Sequence, residues 1–333
     1  MSATQLIHVY RGPLIESNHY GHVAVVDLKG NVLHGLGDPR HVTFVRSSSK
    51  PLQAIPVVES GAADRYLFTS ADLALCCASH SGEERHTDRV ADLLARIGVS
   101  EEALQCGIHA PRDEENYKKL IRSGGELTPI YNNCSGKHSG MLALASHLGA
   151  DLESYRQVDH PVQVMMRAAV ADMAGMNSED IVIGVDGCGV PVFGLPLNRL
   201  ALAFAKLSDP SELPEPRRQT LERIASAMME HPEMVGGKDR FCTDLMTALK
   251  GRIVGKAGAE GVYAAGIIGQ GIGIAVKVED GNARAAYPTV VAILEQLGYL
   301  TETDLKALEP HHTPLIRNAR EEIIGRLQAA FSL

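Results

Sequence analysis

The chain opens with two apolar runs, GHVAVVDLKGNVLHGLG over residues 21–37, set around Lys29, Gly30 and Asn31. A tight-turn composition between two such runs predicts an antiparallel hairpin. From Pro51 to about Ala174 the apolar spacing becomes that of amphipathic helices, over 83–97, 140–148 and 161–173, separated by Gly-, Pro- and Asn-rich loops such as RSGGELTPIYNNCSG. Residues 180–197, DIVIGVDGCGVPVFGLPL, read as strand, glycine-rich turn and strand, and 214–231 as a further helix. Three β-type runs follow in 252–288, the last turning through Glu279, Asp280, Gly281 and Asn282, and helices are expected over 289–297 and 301–308. Strands early and late with helices between them predict a mixed α/β protein, its antiparallel sheet built from both chain ends and packed with a helical region over about 51–175. No internal repeat, low-complexity tract or linker interrupts the chain, so a single domain over 1–333 is expected.

Composition narrows the partners. The 333 residues are 45% hydrophobic, enough for a sizeable core. A formal net charge of -8 without a basic run argues against nucleic acid, because phosphate binding leans on clustered Lys and Arg. The first residues lack a basic start followed by an apolar run, and no window approaches about 18 uninterrupted apolar residues. A cytoplasmic protein with no membrane partner is therefore expected, acting on a small molecule or another protein. In that reducing setting the six cysteines, Cys76, Cys77, Cys106, Cys134, Cys188 and Cys242, are expected as buried thiols, nucleophiles or metal ligands rather than disulfides.

Candidate chemistry begins in RSSSKPLQAIP, residues 46–56. Leu52, Ala54, Ile55, Val57 and Val58 look like the buried face of a helix, which places the serines at its start. Ser47 and Lys50 lie three apart and stack on one helical face. A serine needs a base within hydrogen-bond reach, and a lysine serves when burial or a second cation makes it neutral. S-x-x-K is the spacing used by penicillin-binding proteins and class A β-lactamases, together with a second serine motif and a late K-T-G. Here Lys256-Ala257-Gly258 supplies a K-x-G, and ASHSGEE at 78–84 supplies Ser79 or Ser81. The competing reading makes Ser47 a helix cap, Lys50 a solvated charge and Lys256 a strand-edge lysine.

A second constellation joins NNCSGKHSG (132–140) to GVDGCGVP (184–191). Cys134, Lys137 and Cys188 offer two thiolates and an amine to a zinc-like ion, with His138 next door, although lysine must first lose its proton. Buried thiols are the alternative. SGKHS fails as a phosphate loop because Tyr131 stands where the leading glycine is required, and Gly269-Gln270-Gly271-Ile272-Gly273 lies between strands and opens no helix. His311, His312 and the remaining histidines show no ligand spacing.

Together RSSSKPLQAIP, ASHSGEE, NNCSGKHSGML, GVDGCGVPVFGLPL and GKAGAEGVYAAGI resemble the rhizobial-type, or class 3, L-asparaginases of the asparaginase II family, over nearly the whole chain. The resemblance implies a fold related to serine β-lactamases and glutaminases, a homodimer, and hydrolysis of L-asparagine to L-aspartate and ammonia. It makes Ser47 the nucleophile with Lys50 beside it, Ser79 and Lys256 a second Ser-Lys tandem, and Cys134, Lys137 and Cys188 a zinc site. Arg46, Asp186 and His138 become expected substrate contacts. Competing functions are another amidase on the same scaffold, such as a glutaminase, and a non-catalytic zinc-binding protein.

Overall fold

The protein, described here by a computed structural model covering residues 2–333, divides into two compact units interleaved along the chain. Among the described residues the first comprises 2–48, 195–209 and 244–333, and the second 49–194 and 210–243.

The first unit is a sheet. Its first strands are β1 (Thr4–Arg11), β2 (Leu14–Val26) and β3 (Val32–Leu36); β4 (Val42–Phe44) follows outside that sheet, before the chain passes through the second unit. That unit carries a hairpin of β5 (Val182–Val185) and β6 (Pro191–Pro196). The sheet unit resumes with β7 (Ile253–Ala257), β8 (Val262–Ile267), β9 (Ile272–Val278), β10 (Leu315–Arg317) and β11 (Ile323–Ala329).

The spatial order β10-β11-β1-β2-β9-β8-β7, with β3 on β2, interleaves both chain ends, as the apolar pattern predicts. The opening hairpin is the expected one: β2 pairs β3 with Val26 opposite Val32, and Gly30 takes φ 81° in the turn. The strands β8 and β9 are buried along almost their whole length, so both sheet faces are covered. Helix Leu197–Ser208 covers one face, lying so close that a Cβ on Gly273 would run into the Ala201 carbonyl. Helix Ala283–Gln296 packs across β1, β8, β9 and β11 and takes the other. Neither β10 nor β11 was expected from the sequence; both strands are half exposed and lack a clean alternation.

The second unit is helical and reaches beyond the expected segment to residue 243. At its centre stands helix Ser135–Leu148, buried on every side from Ser135 to Ala145. A Cβ on Gly136 would collide with the Leu75 carbonyl, and one on Gly140 would lie 3.0 Å from Cys76 Sγ. The glycines of SGKHSG thus admit helix Ser70–Cys76, a packing role where the pattern hinted at phosphate. Helices Glu84–Ile97, Pro161–Ala174 and Glu215–Glu230 follow their expected spans closely.

Candidate active site

The serine run folds as a 3-10 turn, Arg46–Ser49, leading into a short helix, Lys50–Gln53, with Pro51 in its first turn. The proline has no N–H to lose there, and it fixes a helical φ. Leu52, Ala54, Ile55, Val57 and Val58 are buried, as the spacing predicts. The three serines differ: Ser47 is half-buried, Ser49 is buried, and Ser48 is fully buried with its hydroxyl donating to Val45 O at 2.6 Å. Arg46 enters the turn at φ 50°, the left-handed region that side chains other than glycine rarely adopt.

Within the sheet unit, Lys256 is buried at the end of β7, donating to Ala257 O at 2.8 Å. The glycine of its K-x-G has a steric purpose. A Cβ on Gly258 would sit 2.7 Å from Val45 O, so only glycine lets this turn approach the segment that leads into Arg46 and Ser47.

Within the helical unit, Lys50 is 1% exposed and its amine reaches four groups. It donates to Ala78 O, and lies 3.2 Å from Ser79 Oγ, 3.2 Å from Cys134 Sγ and 3.5 Å from Asn133 O. Spacing alone had linked Lys50 to Ser47; the contact with Ser79 joins residues 29 apart and left no periodic trace. Ser79 is buried and held by its N–H to Val235 O at 3.0 Å.

The thiols form a second cluster in the same unit. Asn132 turns its side chain onto Cys106 O and Gly107 O and receives the Cys134 N–H at 2.9 Å, which fixes Cys134 at the mouth of helix Ser135–Leu148. Cys188 sits in the β5–β6 turn, closed by Gly189 N–H on Asp186 O at 2.8 Å with Gly189 at φ 82°. Lys137 Nζ lies 3.1 Å from Cys188 Sγ, and the two thiols hydrogen-bond each other. That shared bond, then the Lys137 ammonium, hold Cys188 down to about 4; the same bond and burial push Cys134 up to about 12. Burial lowers Lys137, but the neighbouring Cys188, Cys134 and Asp186 outweigh it and the amine is raised overall.

The profile of the L-asparaginase II family matches residues 7–329. The chain belongs to the L-asparaginase II family. The chain is also similar to solved structures at low identity. Mglu in its native form shares 16% identity with a TM-score of 0.39, over 86% of this chain and 66% of its own, so the chain spans just under two thirds of Mglu. A β-lactamase from Mycobacterium bovis shares 15% with a TM-score of 0.44, over 83% of this chain and 94% of its own. A D-alanine carboxypeptidase from Burkholderia cenocepacia shares 14% with a TM-score of 0.40, over 82% and 93% respectively. No curated protein matches the chain by sequence.

Of the expected substrate contacts in this family member, Arg46 and Asp186 are half-buried, the latter with its carboxylate on Gly187 N–H at 2.9 Å. His138 is fully buried, its Nδ1 on the Tyr155 hydroxyl at 2.6 Å and its Nε2 without a hydrogen-bond partner among the described residues. Sequence reading missed one cluster. His22, His41 and Glu279 each offer a ligand atom within 4.8 Å of the others, a set able to hold a metal ion. Its members come from distant segments, so no spacing announces them. The His22 and His41 rings stack at 4.3 Å and 17°, and His22 Nδ1 takes the Asp38 N–H, leaving its proton on Nε2 toward Glu279 at 2.6 Å. A metal there has to displace that proton. Among the described residues no helix is long and apolar enough to cross a membrane.

Proposed function

We propose that this protein is an L-asparaginase that hydrolyses L-asparagine to L-aspartate and ammonia through an acyl-enzyme on Ser47. The observation that carries the reading is the buried Lys50 amine, 3.2 Å from Ser79 Oγ and three residues after Ser47, in a chain of the L-asparaginase II family. Lys50, as the free amine, takes the Ser47 hydroxyl proton while the oxygen attacks the side-chain amide carbon. The C–N bond breaks, the proton passes to the leaving nitrogen through Ser79 and Lys256, and ammonia departs. Water then adds to the ester with the same amines as bases, releasing aspartate and restoring the Ser47 hydroxyl. Backbone N–H groups at the helix start receive the developing oxyanion. Arg46 contacts the substrate carboxylate, and Asp186 and His138 complete its surroundings.

Cys134, Lys137 and Cys188 are the residues that would hold a zinc ion. Their donor set fits: two sulfurs and a nitrogen converge, with Cys188 held toward the thiolate, and uptake would release the Cys134 and Lys137 protons. When bound, the ion supplies a fixed positive charge that tunes substrate binding. The enzyme acts as a cytoplasmic homodimer in this reading, which sedimentation as a single chain would remove.

The test is ammonia release from L-asparagine and L-glutamine side by side, with Ser47→Ala and Lys50→Met as controls. Asparagine turnover that disappears in both variants supports the mechanism. Full activity in either variant would sink it, and faster glutamine turnover would change the substrate while leaving the chemistry.

A further inference from the structure

We propose that His80 is a positioning residue of this active site, setting through Ser135 how Ser79 and Cys134 converge on the Lys50 amine. The inference rests on the functional reading above and adds to it a residue with no place in the bond-making steps.

Both ring nitrogens of His80 have fixed roles. Gly82 N–H donates to Nδ1 at 3.2 Å, so the proton sits on Nε2, which donates to Ser135 Oγ at 2.9 Å. The Ser135 hydroxyl in turn donates a hydrogen bond to Ile130 O at 2.9 Å. The ring is fully buried and stacks on His86 at 4.9 Å and 17°. His86 is itself pinned, its Nδ1 accepting from Glu83 N–H at 3.1 Å and its Nε2 donating to Glu233 O at 2.9 Å. Burial, then the neighbouring His86 and Lys50, keep His80 well below the ordinary histidine range, so it is a neutral strut with one tautomer.

Each end of this strut is covalently next to a group on Lys50. His80 follows Ser79, and Ser135 follows Cys134; Ser79 Oγ and Cys134 Sγ each stand 3.2 Å from Lys50 Nζ. The far side of the loop is fixed independently by Ser81 Oγ on Gly236 O at 3.0 Å. Cutting the His80–Ser135 bond therefore removes the side-chain tie between the loop at 78–82 and the helix start, leaving Ser79 held from the far side by its N–H on Val235 O and less closely tied to Cys134. A shift of about 1 Å in a positioning element is worth on the order of 100-fold in rate.

The experiment measures kcat and KM for ammonia release in His80→Phe, His80→Gln, Ser135→Ala and the double variant His80→Phe with Ser135→Ala, beside Ser47→Ala. Glutamine places an N–H donor near the position of histidine Nε2; phenylalanine keeps the stack and loses the donor. The expected result is a fall in kcat of about 10- to 100-fold in His80→Phe with KM little changed. Ser135→Ala should match it, the double variant should be no worse than either, and His80→Gln should recover most of the rate. Unchanged kcat in folded His80→Phe or Ser135→Ala overturns the proposal, as do multiplying losses or a His80→Gln no better than His80→Phe. Should His80→Phe not fold, Ser135→Ala and His80→Gln decide the matter. An active Ser47→Ala removes the functional reading instead. A readout independent of turnover is the alkylation rate of Cys134, mapped by mass spectrometry: it should rise severalfold in Ser135→Ala, and an unchanged rate overturns the positioning role.

Discussion

Cys134 and Cys188 are the same residue type, both buried, yet their environments drive them in opposite directions. Cys188 has Lys137 at 3.1 Å and receives the shared hydrogen bond, so it is held down to about 4, while Cys134, the donor, is pushed up to about 12. The sign follows directly. A depressed thiol stays thiolate as pH falls through neutrality and loses its charge only near the lowered value. In metal-free protein, one thiolate absorbance should persist from pH 8 to about 5 and vanish in Cys188→Ser; a titration with an ordinary thiol midpoint would contradict the pairing. On the proposed zinc site, Cys188→Ser should also lower the zinc retained after dialysis, measured by elemental analysis. At this scale the sequence offers the residue types, because sulfur and amine donors in glycine-rich turns are visible as letters. Its spacing argument could not reach the contact of Lys50 with Ser79, or the gathering of His22, His41 and Glu279, because these join segments far apart in the chain.

Elements are where small residues matter most. Gly136 is required by the approach of helix Ser70–Cys76, so Gly136→Ala should push helix Ser135–Leu148 away and lower stability by about 1–3 kcal/mol, read by urea denaturation. On the proposed function, asparagine turnover should fall with it, since Cys134 and Lys137 ride on that helix start. Helix Ser70–Cys76 is also anchored at its other end. Thr69 and Asp72 form a capping box, and the fully buried Asp72 carboxylate meets Arg89 and Arg96, each at 2.9 Å. Asp72→Ala leaves part-buried guanidinium groups facing a void and should cost about 3–5 kcal/mol in the same assay. Long periodic helices were legible from sequence to within a residue or two at 84–97 and 161–174. The start of helix Ser135–Leu148 was not, because SGKHSG carries no amphipathic signal when every face is buried. Helix Ala283–Gln296 likewise begins six residues before the expected start at 289, carrying Pro288 inside it where a boundary is the usual reading.

In the sheet unit, stability depends on closing its order. The strand β11 pairs β1 through Ile7 opposite Ala329 to Arg11 opposite Gly325, with Leu327 buried. Removing 313–333 leaves β1 as a bare edge and uncovers apolar surface beneath helix Ala283–Gln296. The truncated chain should aggregate, judged by its soluble fraction and elution volume; a soluble species with intact cooperative unfolding would show β11 to be dispensable. By itself the sequence determined the mixed α/β class, the opening hairpin and the long helices, because each is written in local periodicity or turn residues. The tertiary structure alone decided the sheet order, the two interleaved units, which serine hydroxyl meets Lys50 inside the helical unit, and which thiol keeps its proton. Those outcomes depend on distances between segments remote in sequence, and on burial that strengthens each charge, neither of which a linear pattern encodes.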